Sequence, residues 1–120
     1  MFSMGLSRHS HLLVVCTGAP VYEDFVTLID LIANVSGREG WRTVLVDCTS
    51  VAPTFTEAER IALGQWAGKQ LTGLYVGLVV SDPRRFSATQ SAAATRGGTL
   101  QYFDTLDAAN AWLDKASVAR

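Results

Sequence analysis

Three short runs, LLVVCT (Leu12–Thr17), TVLVDC (Thr43–Cys48) and LYVGLVVS (Leu74–Ser81), are apolar at almost every position. A strand with one wet face alternates apolar and polar residues; a strand covered on both faces does not. Runs of this length, rich in Val, therefore read as strands of a buried, largely parallel sheet. Segments of helix length separate them, and a weaker run, TLQYF (Thr99–Phe103), follows a further such segment. The rhythm is βαβαβαβα. It predicts a single α/β domain over residues 1–120, with a four- or five-stranded, mostly parallel sheet and about four crossover helices. Ahead of it, Phe2, Met4 and Leu6 alternate with small residues and predict a short edge strand, hairpin-joined to the first main one.

Composition narrows the function classes. With 120 residues, 48% of them hydrophobic, the chain has enough apolar surface for one packed core. The net charge is −1 and the ten basic residues are scattered, so no stripe is present to capture nucleic acid. The start, MFSMGLSRHSHLLVV, lacks the pattern of a signal peptide, and no apolar run has the ~20 residues of a membrane span. These features predict a soluble, cytoplasmic protein in which Cys16 and Cys48 are reduced, buried packing residues.

The helices carry their own boundaries. PVYEDFVTLIDLIANV places a proline at a first turn, acids near the positive end of the dipole, and an over-wide apolar face ending near Ser36-Gly37. TEAE, from Thr56 to Glu59, has capping-box spacing. In the helix that follows, Gly64 and Gly68 lie one turn apart and predict a close approach by another element. Asp82-Pro83 predicts a capped helix start, Gly97-Gly98 its end, and Asp104 or Thr105 caps a last helix with Leu106, Ala109, Leu113 and Ala116 on one stripe.

The motif WRTVLVDCTSV, the capped helix after it, the strand LYVGLVVSDP and the ending YFDTLDAANAWL together resemble the STAS domain, and the stand-alone bacterial SpoIIAA-like group in particular. Phe103, Asp104, Ala109, Trp112 and Leu113 fit that family's closing pattern, and the resemblance covers nearly the whole chain. It implies a non-enzymatic regulatory module working through protein contact, as a homodimer or with a signalling partner. The same fold occurs in lipid-carrying Sec14-like domains, which implies an alternative role in binding a small apolar ligand or lipid. Anti-sigma factor antagonists carry a phosphorylated Asp-Ser before the second helix. Here that stretch is Thr54-Phe55-Thr56, so the resemblance implies a switch position at Thr54 or Thr56 without its usual residue.

Ligands of parallel sheets bind outside the carboxyl ends of the strands. That edge should gather Thr17-Gly18, Asp47, Ser50, Thr54, Thr56, Ser81, Arg84, Arg85 and Asp104. Arg84 and Arg85, at a helix start, could hold a phosphate or carboxylate; Thr56 could equally be a cap alone. His9 and His11 would share a face if they lay on a strand, but spacing suggests no third metal ligand. No Ser-His-Asp set, paired acids or glycine-rich phosphate loop points to catalysis or to a cofactor.

One expectation concerns coverage. Right-handed crossovers in simple sequence order put their helices on one face of the sheet. The non-alternating strands then require something on the other: a helix placed by a switched strand order, a second subunit, or an apolar ligand. A ligand would sit between helices and sheet, against Phe25, Ile29, Trp66 and Phe86.

Overall fold

A computed structural model describes residues 2–52 and 54–118. Five strands form one sheet in the order β1-β2-β3-β4-β5: β1 (Phe2–Arg8), β2 (Leu12–Gly18), β3 (Thr43–Val51), β4 (Tyr75–Val79) and β5 (Thr99–Phe103). The first pair is an antiparallel hairpin; the other three pairs are parallel. The α/β sheet with its antiparallel edge is thus as the apolar runs predict.

Three helices are crossovers: α1 (Tyr22–Glu39), α2 (Glu57–Gln70) and α3 (Ser87–Thr95). They cover the face that carries Leu12, Val14, Cys16, Val44, Val46, Cys48, Val76, Leu78 and Val80, which with Leu28, Ile29, Ile32 and Leu63 make the larger core. The fourth helix, α4 (Leu106–Val118), is not a crossover, because among the described residues no strand follows it. It is therefore free of the handedness rule. It lies on the opposite face, where Ala109 and Leu113 bury against Leu45 and Val79. So the strand order is not switched; the terminal helix does the covering. Leu106, expected on its inner stripe, is 41% exposed.

The cover is partial. α4 packs on β3, β4 and β5, so the outer face of β1 and β2 stays open. There Ser3, Gly5, Ser7, Val15 and Thr17 are exposed and only Leu13 reaches the core under α4. So β2, expected from LLVVCT to be covered on both faces, has one wet side, because α4 does not extend over it.

Several boundaries differ from the sequence reading. α1 continues through Gly37 to Glu39 and ends at Gly40 in the left-handed region (φ 79°), whose N–H donates to the Ser36 carbonyl. Residues 83–86 form a separate 3-10 turn, and α3 begins only at Ser87. Asp82 makes no side-chain cap; its carboxylate lies 3.6 Å from Arg84 instead. Thr105, not Asp104, caps α4, its hydroxyl accepting from the Ala108 N–H at 3.1 Å.

The glycine pair of α2 has the predicted role. Its buried side is Leu63, Gly64, Ala67 and Gly68. A Cβ on Gly64 would come within 2.3 Å of the Thr89 carbonyl oxygen, and one on Gly68 within 2.4 Å of the Ala93 carbonyl oxygen. α3 therefore packs backbone to backbone on α2. This also explains why α2 looks weakly amphipathic: part of its buried face is glycine.

Candidate functional site: the carboxyl edge and the cleft beneath it

At the end of β3 the pairing with β2 slips. Val15 pairs with Asp47 but Thr17 pairs with Ser50, an irregularity of one extra residue. Such bulges redirect side chains. Cys48 points into the larger core, while Thr49 and Ser50 are both exposed. Asp47 accepts from the Thr49 N–H at 3.0 Å and from its hydroxyl at 2.7 Å. It closes a local turn of the kind favoured by Asp.

Thr56 completes a full capping box: its hydroxyl accepts from the Glu59 N–H at 3.1 Å, and its own N–H donates to Glu59 Oε1 at 2.9 Å. Thr54, exposed, makes no such bond among the described residues. Replacing Thr56 with Ala is expected to cost about 1 kcal/mol of stability, read as a fall in the urea midpoint.

Across the edge, Ser81, Arg84 and Arg85 are exposed. Arg84 is the one beside Asp82, whereas the Arg85 guanidinium has no carboxylate partner among the described residues. The edge thus brings Asp47, Ser50, Thr54, Thr56, Ser81, Arg84 and Arg85 to one end of the sheet, although none of their side chains bonds to another of the set among the described residues.

Beneath this rim lie two adjoining cavities. The inner one, about 40 Å³, is enclosed by α1, α2, α3 and the sheet; Phe25, Ile29, Phe55, Leu63, Phe86 and Leu100 are among its walls. The outer one, about 30 Å³, opens towards the rim at Ser81, Asp82 and Arg85. Phe25, Leu78, Phe86 and Tyr102 border both. Phe86 and Tyr102 stack nearly parallel, 4.8 Å between centroids. Phe25 in turn packs on Phe55 at 5.1 Å and on Phe2 at 5.6 Å.

Three polar groups enter this apolar region. The Thr89 hydroxyl is buried and has no hydrogen-bond partner among the described residues. Arg60 borders the inner cavity and donates to the Phe55 carbonyl at 2.6 Å. Tyr102 is the third; burial, with the Cys48 thiol adding to it, pushes its phenol up and keeps it protonated. A hydrogen bond to Cys16 and then burial push the Cys48 thiol well up too, while the same hydrogen bond lowers the Cys16 thiol on the neighbouring strand.

Of the residues expected around an apolar ligand, Phe25, Ile29 and Phe86 line the cleft, but Trp66 does not. Its indole N–H donates to Asp30 at 2.9 Å on the outer side of α1 and α2. Tyr102 and Thr89 were not anticipated. For Tyr102 a signal existed: alternation in TLQYF puts it on one face with Leu100. For Thr89 there was none, since SATQSAAAT has no apolar period.

The histidines belong to the other end of the sheet. His9 and His11 fall in the turn between β1 and β2, not on a strand, and His9 is exposed. His11 is 5% exposed. Its Nδ1 lies 2.7 Å from the Thr43 hydroxyl and its Nε2 2.8 Å from an Asp114 carboxylate oxygen. A carboxylate can only accept, so Nε2 carries a proton. This hydroxyl–imidazole–carboxylate line ties the hairpin and β3 to α4. Thr43 is 3% exposed, so its hydroxyl is buried in this line. Among the described residues no three His, Cys, Asp or Glu side chains are grouped to hold a metal ion.

No family model and no curated protein matches the sequence. Among solved structures, the chain is similar to the crystal structure of an uncharacterised protein of the DUF3478 family, with a SpoIIAA-like fold, from Shewanella loihica PV-4. The two share 21% identity over 93% of each chain, with a TM-score of 0.55. This chain therefore has a SpoIIAA-like, STAS-like α/β fold, built around five strands in sequence order.

Proposed function

We propose that the chain is a non-enzymatic regulatory module of the STAS-like kind, acting in the cytoplasm through protein contact at the carboxyl edge of its sheet. The observation that carries this reading is the bulge at Cys48–Ser50. It turns Thr49 and Ser50 outward together, beside exposed Thr54, Ser81, Arg84 and Arg85. Edge polar groups whose bonds are known, Asp47 and Thr56, serve local caps and turns rather than a reaction. If one threonine of this edge is a switch, Thr54 is the better placed. Its hydroxyl has no partner among the described residues, whereas a phosphate on Thr56 would displace the cap. No helix of the described residues is long and apolar enough to cross a membrane.

A photo-crosslinking residue placed in the native host at Ser50 or Arg84, and for comparison at Thr72 on the opposite end, tests this. A discrete adduct from the edge positions alone is expected, abolished by Arg85→Glu. An adduct near twice the 12.9 kDa of the chain would make the partner a second copy. Equal yields at Thr72, or none at the edge, would refute the reading. Thr56→Ala should leave the adduct intact and lower only stability.

A further inference from the structure

The two cavities adjoin, and four side chains, the stacked Phe86 and Tyr102 among them, border both. Phe86 belongs to the turn Pro83–Phe86, which contains no buried residue. A small movement of this turn would join the cavities into one cleft running from the rim to the interior. At about 40 and 30 Å³ they have room for a small apolar group, not for the chains of a lipid.

Two features show that hydrocarbon alone is not the complement. Thr89, 4% exposed, borders the inner cavity with its hydroxyl unpartnered, an arrangement that costs stability unless a polar atom fills it. At the mouth, Arg85 borders the outer cavity with its guanidinium free, while Asp82, the acid at the same mouth, lies against Arg84 at 3.6 Å. A free guanidinium above an apolar cleft selects an anion with an apolar body, and its fork suits a carboxylate.

We infer that this cleft binds a small apolar carboxylic acid, its hydrocarbon between Phe25, Leu78, Phe86 and Tyr102 and its carboxylate on Arg85. A polar atom reaching Thr89 would add a second contact. The inference is independent of the protein-contact reading, since it concerns the isolated chain.

The test is a titration of the ¹⁵N-labelled full chain with butyrate, whose short hydrocarbon suits the volumes above, followed by amide chemical shifts. Saturable shifts centred on Leu78, Phe86, Thr89 and Tyr102 are expected. Binding should weaken about tenfold when 1-butanol replaces the acid, and by a similar factor for the acid on Arg85→Ala. Arg84→Ala should stay within about twofold of the unmodified chain, because its charge is already opposed by Asp82. Both arginines are exposed, so neither variant threatens the fold. Unsaturable or scattered shifts would overturn the inference. So would equal affinity for the alcohol, or an Arg85→Ala variant that binds as well as the unmodified chain.

Discussion

Gly68→Ala is expected to destabilise the chain by about 2 kcal/mol or more, although alanine is the better helix former by roughly 1 kcal/mol. The new methyl would lie 2.4 Å from the Ala93 carbonyl oxygen and 2.9 Å from the Ala93 Cα. These are backbone atoms and cannot rotate away, so α3 must shift as a body. Gly98 has the same problem from the other side, its Cβ falling 2.6 Å from the Gly68 Cα, which closes the route of retreat. Gly64→Ala should behave similarly, against Thr89. Gly37→Ala is the matched control. It also lies within a helix, but its Cβ would meet nothing within 4 Å. There the helix propensity acts alone and about 0.5–1 kcal/mol of stabilisation is expected. Urea unfolding of the variants checks all of this. A Gly68→Ala midpoint at or above the unmodified one would mean that α2 and α3 do not meet as described.

Leu113→Ala is expected to cost about 3 kcal/mol, within the usual range for a fully buried leucine. Leu113 is 0% exposed, and among the described residues its cluster has three other buried members, Leu45, Val79 and Ala109. Its seat is Gly77: a Cβ there would touch Leu113 at 3.6 Å. Losing this side chain leaves a cavity that the rigid strands cannot close. Leu106→Ala on the same helix, at a position 41% exposed, should stay within about 0.5 kcal/mol of the unmodified chain. Thermal unfolding followed by near-ultraviolet circular dichroism, where Trp112 beside Phe103 reports on α4, separates the two. Equal effects of the two substitutions would contradict the burial described here.

The sheet was legible because its evidence is local. Continuous Val-rich runs mark β3 and β4 as strands covered on both sides, though the same signal overstates the cover of β2, and the spacing between runs leaves room for one crossover each. The capping box at Thr56–Glu59 was readable because its partners lie three residues apart. The glycine spacing in α2 was readable because two glycines one turn apart open one face of a helix, although the element that fills it, α3, was not named by the spacing. Placement of α4 was not. The handedness rule speaks only of helices between parallel strands, and the terminal helix has no second strand to fix it. His11 was misread for a related reason. Its partners, Thr43 and Asp114, lie 32 and 103 residues away, and no pattern within H-S-H announces them. Of the site, the rim residues were named from the carboxyl-edge rule. The cleft was seen only in outline, because Phe25, Ile29 and Phe86 follow from apolar faces while Trp66 had no reason in sequence to turn outward. The delay of α3 to Ser87 explains why Arg85 and Phe86 stand at a mouth rather than inside a helix.

The strand order has a consequence for synthesis on the ribosome. Each strand pairs with the one made just before it, so β1 to β4 and their crossover helices can assemble as they emerge. The second face cannot. Leu45, Val79 and Phe103 stay bare until α4, the last helix of the described chain, clears the exit tunnel. Until then the nascent sheet presents an unprotected apolar plate, and that interval is when a chaperone would find it.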